Sequence, residues 1–470
     1  MNSASPANSL TNGITKPALL LSAAILLAYA LILKSGSFQF DDYNVIVFNP
    51  QIHSLTAWYH ELGHGIRPLL KLSYTLDWLR GEGQPFPFHC TNLAIHAGNG
   101  LLVFLLSRHY ARRYARQHPA WQNQTENIAL FTALLFVLHP IQTEAVSYVC
   151  GRSSSLMALF YLLALLIHVT FSPRLTTRSN PWPGLLTATC FLLALAVKET
   201  AITLPFALLL HDRLHGLRLS QALRRQWPNA LLLVLVSLYF LNQPDYAAHL
   251  ERSAHFNTYR GNLANASLGT LWLLRQWFAP LWLNIDPDLS VRHYLDMTSG
   301  LALAALCTLV AIALRLRHSR PWWLFAITWL LLHLLPLYII LPRLDIANER
   351  QMLLAGWPLA LCLVSEITRS LPATIARRTL AMLLLSCLLL TMVRNTDYRS
   401  EITLWQATAQ VSPNKSRVHN NLGYAHAQAG QTQAARAAYQ RALALEPGNL
   451  QARNNLQQLE DTRNALPETP

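Results

Sequence analysis

Apolar runs rich in leucine, each bounded by arginine, proline or polar clusters, recur from about residue 17 to about residue 393 and then stop. A helix satisfies its own backbone hydrogen bonds where water is absent, so such runs are what crossing a hydrocarbon layer requires. They predict crossings near 17–33, 91–107, 127–138, 153–171, 184–197, 200–211, 228–241, 299–315, 322–341, 352–366 and 379–393. Several are shorter than the roughly 20 residues of an ideal span, so flanking protein or a water-filled cavity has to satisfy their ends. The first run, Pro17 to Leu33, follows a polar tail (1–16) with one basic residue, Lys16, and no small-residue cleavage site stands out before Phe38. It reads as a retained first helix and not as a secretory signal.

Past residue 393 the pattern changes. Residues 394–415 read as a linker, and from Ser416 the spacing Leu422-Gly423, Ala435, Tyr439, Ala442, Pro447 follows the 34-residue tetratricopeptide pattern, with small residues where two antiparallel helices touch. A further partial helix from Leu450 to about Glu460 caps the hairpin, so the repeat unit is 416–460 and 461–470 a flexible tail. Such units normally need about three neighbours to bury a core. This one must pack on the rest of the chain or on a partner. The expected fold is therefore all-α: a polytopic membrane domain over 17–393, with an outer loop at 34–90, followed by a helical hairpin.

Composition agrees, since 52% of the 470 residues are hydrophobic and 13% charged, too few charges to coat one large soluble globule. The formal net charge of +14 would point to nucleic acid if the basic residues formed one patch. Instead they sort into short loops: Arg108, Arg112, Arg113 and Arg116; Arg174 and Arg178; Arg213, Arg218, Arg224 and Arg225; Arg315, Arg317 and Arg320; Arg369, Arg377 and Arg378. The only acids there are Glu126, Asp212 and Glu366. Positive-inside bias makes these loops cytoplasmic, and no nucleic acid partner is expected. Parity then requires two short helices meeting at Lys198-Glu199, and a run at 265–284 that does not cross but lies at the interface. With eleven crossings the amino terminus is inside and the carboxy terminus outside, in a periplasm or lumen. Of six cysteines only Cys90 and Cys150 fall near the outer face, and no disulfide is expected.

That topology gathers ionisable residues at the outer ends of the helices: Asp41 and Asp42, Arg67, His139 and Glu144, Arg152, Lys198 and Glu199, Glu349 and Arg350. Ionisable groups at membrane depth are costly, so their convergence on one face marks a candidate site. A carboxylate pair can deprotonate a hydroxyl, while Arg and Lys at the membrane surface can hold a lipid-linked phosphate leaving group. Structural readings stand beside these. Asp42 can cap the following segment, Arg152, Lys198 and Arg350 can be interfacial anchors, and His139-Pro140 can be a helix stop.

Phe40-Asp41-Asp42-Tyr43-Asn44 with Asn49-Pro50, Arg67-Pro68-Leu69, the stretch from His139-Pro140-Ile141 through Glu144 to Gly151-Arg152, and Lys198-Glu199-Thr200 resemble the transmembrane and tetratricopeptide repeat-containing protein O-mannosyltransferases and their bacterial relatives. That family is similar to the multispanning glycosyltransferases that use polyprenyl-phosphate sugars (GT-C-like) and invert the anomeric centre. The resemblance implies transfer of one mannose-like sugar from a polyprenyl-phosphate donor to Ser or Thr of a translocated protein, which the repeat would dock. Carried over by position, it implies Asp41 as catalytic base, Asp42 as orienting the acceptor or supporting that base, and Glu144 as a second acid; charge makes Arg67, Arg152, Lys198 and Arg350 the candidate donor-phosphate contacts, with His139, Glu199 and Glu349 supporting. No cofactor is implied, and the sequence leaves the need for a divalent cation open. The expected location is a bacterial inner membrane, or the endoplasmic reticulum in a eukaryote.

Three other readings remain open: transfer to a lipid or glycan acceptor, a nonenzymatic assembly scaffold, and a membrane zinc protease. The last rests on His60-Glu61-Leu62-Gly63-His64, in which two histidines one helical turn apart would bind metal and the Glu activate water. Gly63 and Pro68 weaken a helix there, and no third ligand follows at a familiar distance.

Overall fold

A computed structural model describes residues 13–62, 65–116, 119–171, 182–242, 258–340 and 345–465, and among them every regular element is helical. Each of the eleven expected crossings falls on a helix or a bent helix pair. Five described helices are long and apolar enough to span a bilayer: Thr15–Ser35, Phe86–Ala115, Val149–Phe171, Met297–Arg315 and Ala373–Asp397. Two bent pairs bring the number to seven, and shorter apolar helices include Trp182–Leu195, Trp227–Tyr239 and Pro321–Leu335. The chain is an all-α polytopic protein.

The bends have local causes. At the first, between Trp121–Leu138 and Pro140–Val146 (53°), Pro140 offers no N–H and His139 is held extended at φ −69°, ψ 127°. At the second, Glu349–Ala355 and Trp357–Ser370 meet at 62° across Gly356. Both bends free short turns from the bundle, and those turns carry Glu144, Glu349 and Arg350.

Side-chain contacts sort the two ends of the bundle. At one end the basic loops meet: Arg112 pairs with Glu126 (2.6 Å), the Tyr110 hydroxyl bonds His211 (2.8 Å), Trp121 packs on Trp322 (4.6 Å between centroids) and Arg320 pairs with Glu366 (2.7 Å). The loop with Arg174 and Arg178 lies outside the described residues. At the other end stand the candidate acids. Lys198 and Glu199 occupy the turn between helices Trp182–Leu195 and Leu204–Leu214, as parity requires. The helix Tyr259–Phe278 has its first turn against His293, since the Thr258 hydroxyl donates to the His293 carbonyl (2.6 Å), and its last against His139, which bonds the Trp277 carbonyl (2.8 Å). His293 precedes the helix Met297–Arg315 and His139 ends the helix Thr125–Leu138, both at the acid end. Both ends of Tyr259–Phe278 thus contact segments at that end.

The segment expected to be a linker is instead structured. The helix Ala373–Asp397 runs past the expected crossing, and Ser400 caps a new helix, Glu401–Val411, by accepting the Thr403 N–H (3.2 Å). Leu404, Trp405 and Thr408 form its buried face. This helix supplies the neighbour that the single hairpin, Ser416–Gln428 and Thr432–Leu445, lacks: Trp405 packs with Val418 and Ala425, with Phe40 and Ile285 of the body completing the cluster. Within the hairpin, a Cβ on Gly423 would stand 2.6 Å from the Tyr439 ring, so only glycine lets the two helices approach this closely. Polar contacts add a clamp. Buried Asp286 accepts from Lys415 (2.5 Å) and from Arg417 (2.8 Å at Nε), and Arg417 also reaches Asp345 (2.5 Å).

Truncating both clamp cations, Lys415→Ala with Arg417→Ala, leaves Asp286 buried without charge compensation. The expected outcome is a selective loss of hydrogen-exchange protection in 401–445, with the helices of the body unaffected.

Candidate functional site

The segment that follows the first helix folds as a tight turn. Phe40 sits in the left-handed region (φ 49°), a conformation that costs a bulky residue about 1–3 kcal/mol and that its edge-on contact with Trp405 (5.1 Å) helps to hold. Beyond it the two aspartates separate in role. Asp42 is fully buried and accepts two backbone N–H bonds, from Gln39 (3.0 Å) and from Cys150 (2.8 Å), fastening the turn to the stretch 148–151. Burial outweighs those bonds and pushes the Asp42 carboxyl up to about 7. Asp41 is half-buried; its N–H donates to the Tyr148 hydroxyl (3.1 Å), and its carboxylate has no hydrogen-bond or ion-pair partner among the described residues.

Opposite Asp41 lies Arg350, whose guanidinium rests over the Tyr148 ring (5.9 Å) and interacts electrostatically with Asp41. Buried Glu144 receives the Arg350 backbone N–H (2.9 Å) and lies 3.5 Å from its Nε. Glu349, fully buried, accepts the Asn284 N–H and pairs with Arg394 (3.7 Å). Lys198 donates to the Ser154 hydroxyl (2.8 Å) and shares with Arg350, Ser154 and His333 a narrow cleft of about 40 Å³. Arg67, in the left-handed region at φ 57°, forms a fork with Glu199 (2.8 Å and 3.1 Å). Burial alone would raise the Glu199 carboxyl, but Arg67 and Lys198 more than reverse this and hold it below its usual range. The result is a row of alternating charge, with two cations, Lys198 and Arg350, on one cleft.

Two expected site residues take structural roles. Arg152 is 0% exposed and directs all its donors inward: to Asp77 (2.6 Å), Asn92 (2.7 Å), the Phe88 carbonyl (2.9 Å), and the carbonyl and hydroxyl of Ser73 (3.1 and 3.2 Å). Its guanidinium also lies 4.9 Å from the Tyr74 ring centre. No donor is left for a phosphate, so the expected phosphate contact is corrected to a structural one. His139 uses both ring nitrogens, accepting the Ile141 N–H (3.2 Å) and bonding the Trp277 carbonyl, and stacks on Trp277 at 11°. It caps the helix bend. The residues that sequence reasoning missed are Tyr148, which accepts the Asp41 N–H, Arg394, which pairs with Glu349, and Asp77, which pairs with the structural Arg152. For Asp77 a sequence cue existed, an acid within the helix Pro68–Gly81 that would need a buried cation if it faced the core.

In the motif His60 to His64, Gly63 and His64 lie outside the described residues, and Glu61 is engaged by Lys71 (3.0 Å). Among the described residues no group of three or more His, Cys, Asp or Glu side chains could hold a metal ion. All six cysteines are free thiols.

The fold and its charged cluster define a polytopic membrane protein with a structured repeat docked beside a charged cleft. Residues 416–449 match the family model of the tetratricopeptide repeat. Over its length the chain is similar to Protein O-mannosyl-transferase F38B6.6 of Caenorhabditis elegans (23% identical, covering 93% of this chain and 64% of that protein) and to Protein O-mannosyl-transferase TMTC3 of Mus musculus (24%, 83% and 46%). Protein O-mannosyl-transferase TMTC4 of Homo sapiens is 33% identical across 28% of this chain and 20% of its own. The chain thus spans between about half and just under two-thirds of the length of the first two. No solved structure matches it. The chain is a relative of the protein O-mannosyl-transferases, as its motifs indicated.

Arg152→Ala strands Asp77 as a buried charge and is expected to cost about 3–5 kcal/mol. Thermal unfolding in detergent measures this, and Arg152→Ala with Asp77→Ala should recover part of the loss. Asp42 gives a pH test. Its folded pKa lies above the unfolded value, so its contribution is fully present at low pH and is lost as pH rises from the ordinary carboxylate range through about 7. Asp42→Asn should remove that fall, seen as a thermal midpoint that declines less with pH than the wild type's.

Proposed function

We propose that this protein is an inverting membrane glycosyltransferase that moves one mannose-like sugar from a polyprenyl-phosphate donor to a Ser or Thr hydroxyl of a protein. The observation that carries the reading is the position of Asp41. Of the acids in the row, it keeps a carboxylate without a hydrogen-bond or ion-pair partner among the described residues, and it interacts electrostatically with Arg350, which lines a cleft together with Lys198. In the proposed step Asp41 takes the proton from the acceptor hydroxyl, and the oxygen attacks the sugar C1 from the face opposite the phosphate. The C1–O bond to phosphate breaks, and polyprenyl phosphate leaves with its growing charge met by Arg350 and Lys198. Asp42 holds the turn, Glu144 and Glu349 fix Arg350 and its neighbours, and Arg67 with Glu199 closes the row. The names of the relatives favour a protein acceptor and O-linked mannose.

The docked repeat stands next to Phe40, the residue before Asp41. A protein held by it would arrive at the proposed base. Positive-inside bias puts this end on the outer side of the membrane, periplasmic in a bacterium.

Purified protein incubated with a panel of polyprenyl-phosphate sugars and a Ser/Thr-rich peptide should release polyprenyl phosphate and label the peptide. Asp41→Asn should lower turnover by roughly 10²–10⁴-fold with the thermal midpoint unchanged. Unchanged turnover in a folded Asp41→Asn protein would sink the assignment, and label passing only to added lipid or glycan would move the acceptor class.

A further inference from the structure

Between the helices Thr15–Ser35 and Phe86–Ala115, both long and apolar enough to span a bilayer, the chain folds into short turns, the helix Leu55–Glu61 and the helix Pro68–Gly81. The polarity of Pro68–Gly81 is the reverse of that of a helix facing water. Leu70, Tyr74 and Asp77, at the i, i+4, i+7 spacing of one helical face, are buried, and Asp77 is paired there with Arg152. Leu72, Leu76 and Leu79 repeat that spacing on the opposite face, where Leu76 is 40% and Leu79 48% exposed. The charges of the helix avoid this stripe. Lys71 is half-buried and folded onto Glu61 (3.0 Å), and the exposed Arg80 stands in the last turn. A helix that turns its acid inward and its leucines outward is suited to apolar surroundings.

The neighbouring segments carry the same signature. Leu55 and Tyr59, one turn apart on Leu55–Glu61, are exposed, and that helix is tied to the start of Pro68–Gly81 by the Trp58 indole N–H, which donates to the Pro68 carbonyl (2.9 Å). Ile66, before Pro68–Gly81, and Phe86, after it, are exposed as well. Phe86 makes the patch continuous with a spanning helix. Gly81 abuts the first turn of that helix, so closely that a Cβ on it would stand 2.6 Å from the Pro87 ring. With 14 residues Pro68–Gly81 is about 21 Å long, short of the roughly 30 Å of a hydrocarbon core, so it does not cross. Both its ends stay at the acid end of the bundle, because Arg67, just before it, forks with Glu199 and Gly81 meets the start of Phe86–Ala115.

We propose that Pro68–Gly81 lies in the plane of the membrane at the acid end, with Leu72, Leu76 and Leu79 among the acyl chains and Arg80 and Tyr59 reaching the headgroups. An arginine at the end of an apolar stripe can bury its stem and keep its charge in the polar layer, and a tyrosine ring suits the same boundary. Lipid, and not a second protein, is the occupant because the patch runs without a break into a helix whose own surroundings are hydrocarbon. The Arg67–Glu199 pair then stands at headgroup depth. The inference does not rest on the transferase reading, because lipid contact needs no donor.

The test places p-benzoyl-phenylalanine at Leu76, Leu79 or Phe86 of the full chain, reconstituted into vesicles of equal parts phosphatidylcholine and phosphatidylglycerol and irradiated. Replacement at Phe86 changes the side chain least and decides the matter if the leucine variants misfold. The same probe at the exposed Arg441 of the repeat is the control for contact with water. Mass spectrometry is expected to find phospholipid adducts at Leu76, Leu79 and Phe86 and none at Arg441. Absence of lipid adducts at the first three positions, adducts at Phe86 with none at folded Leu76 and Leu79 variants, equal yields at Arg441, or crosslinks to a second copy of the chain would each overturn the proposal. Turnover of a lipid-linked sugar plays no part in the readout, so loss of the transferase reading leaves this result standing.

Discussion

The acid end of this molecule depends on the enclosure of one guanidinium. Arg152 draws Asp77 and Ser73 from the helix Pro68–Gly81, and Asn92 and Phe88 from the start of Phe86–Ala115, onto the first turn of its own helix. An arginine with its donors satisfied and its charge paired can be buried; one lacking either could not. By fixing the start of that helix, Arg152 fixes the stretch 148–151 just before it, and Asp42 takes its bond from Cys150 there. Gly151 has to be glycine for the same reason, because a Cβ there would be driven into the Glu144 carbonyl. The position of Asp41 therefore follows from an ion pair that it does not touch.

On that frame the charges alternate, and the alternation decides which groups stay available. Glu144 and Glu349 are buried and spent on backbone N–H groups and arginines, while Asp42 is spent on two amides. What remains is a half-buried carboxylate, Asp41, that interacts electrostatically with Arg350, a cation held by Glu144 and sharing a cleft with Lys198, which Ser154 holds. Groups fixed before a substrate arrives need no reorganisation as charge develops, which is where electrostatic assistance is largest.

Much of this was legible in the sequence, for physical reasons that can be named. Apolar runs located the helices, since hydrocarbon imposes them, and the candidate acids and cations lie together at one end of the bundle. The division of labour between Asp41 and Asp42 was not legible, because adjacent identical side chains differ only in which way a turn faces them. Nor was Arg152, whose partners are scattered from Ser73 to Asn92, so that its charge alone suggested a phosphate contact. The helix Glu401–Val411 resembles a linker in sequence because its eleven residues carry a short, mixed pattern; the cap at Ser400 and the spacing of Leu404, Trp405 and Thr408 are the cues to it.

That helix also resolves how one repeat can stand where arrays are usual. A hairpin in an array is stable because each neighbour covers one apolar face. Here Glu401–Val411 covers one face as a preceding repeat would, and Leu450–Ala465 packs on the other side. The substitute neighbour is continuous with the helix Ala373–Asp397 and rests on Phe40, while Asp286 holds the hairpin through Lys415 and Arg417. The hairpin is thereby referenced to the body at three points. Two of them, Phe40 and the segment around Asp286, lead within two residues to Asp41 and to Asn284, the partner of Glu349. A load placed on the repeat would reach the charged row through both.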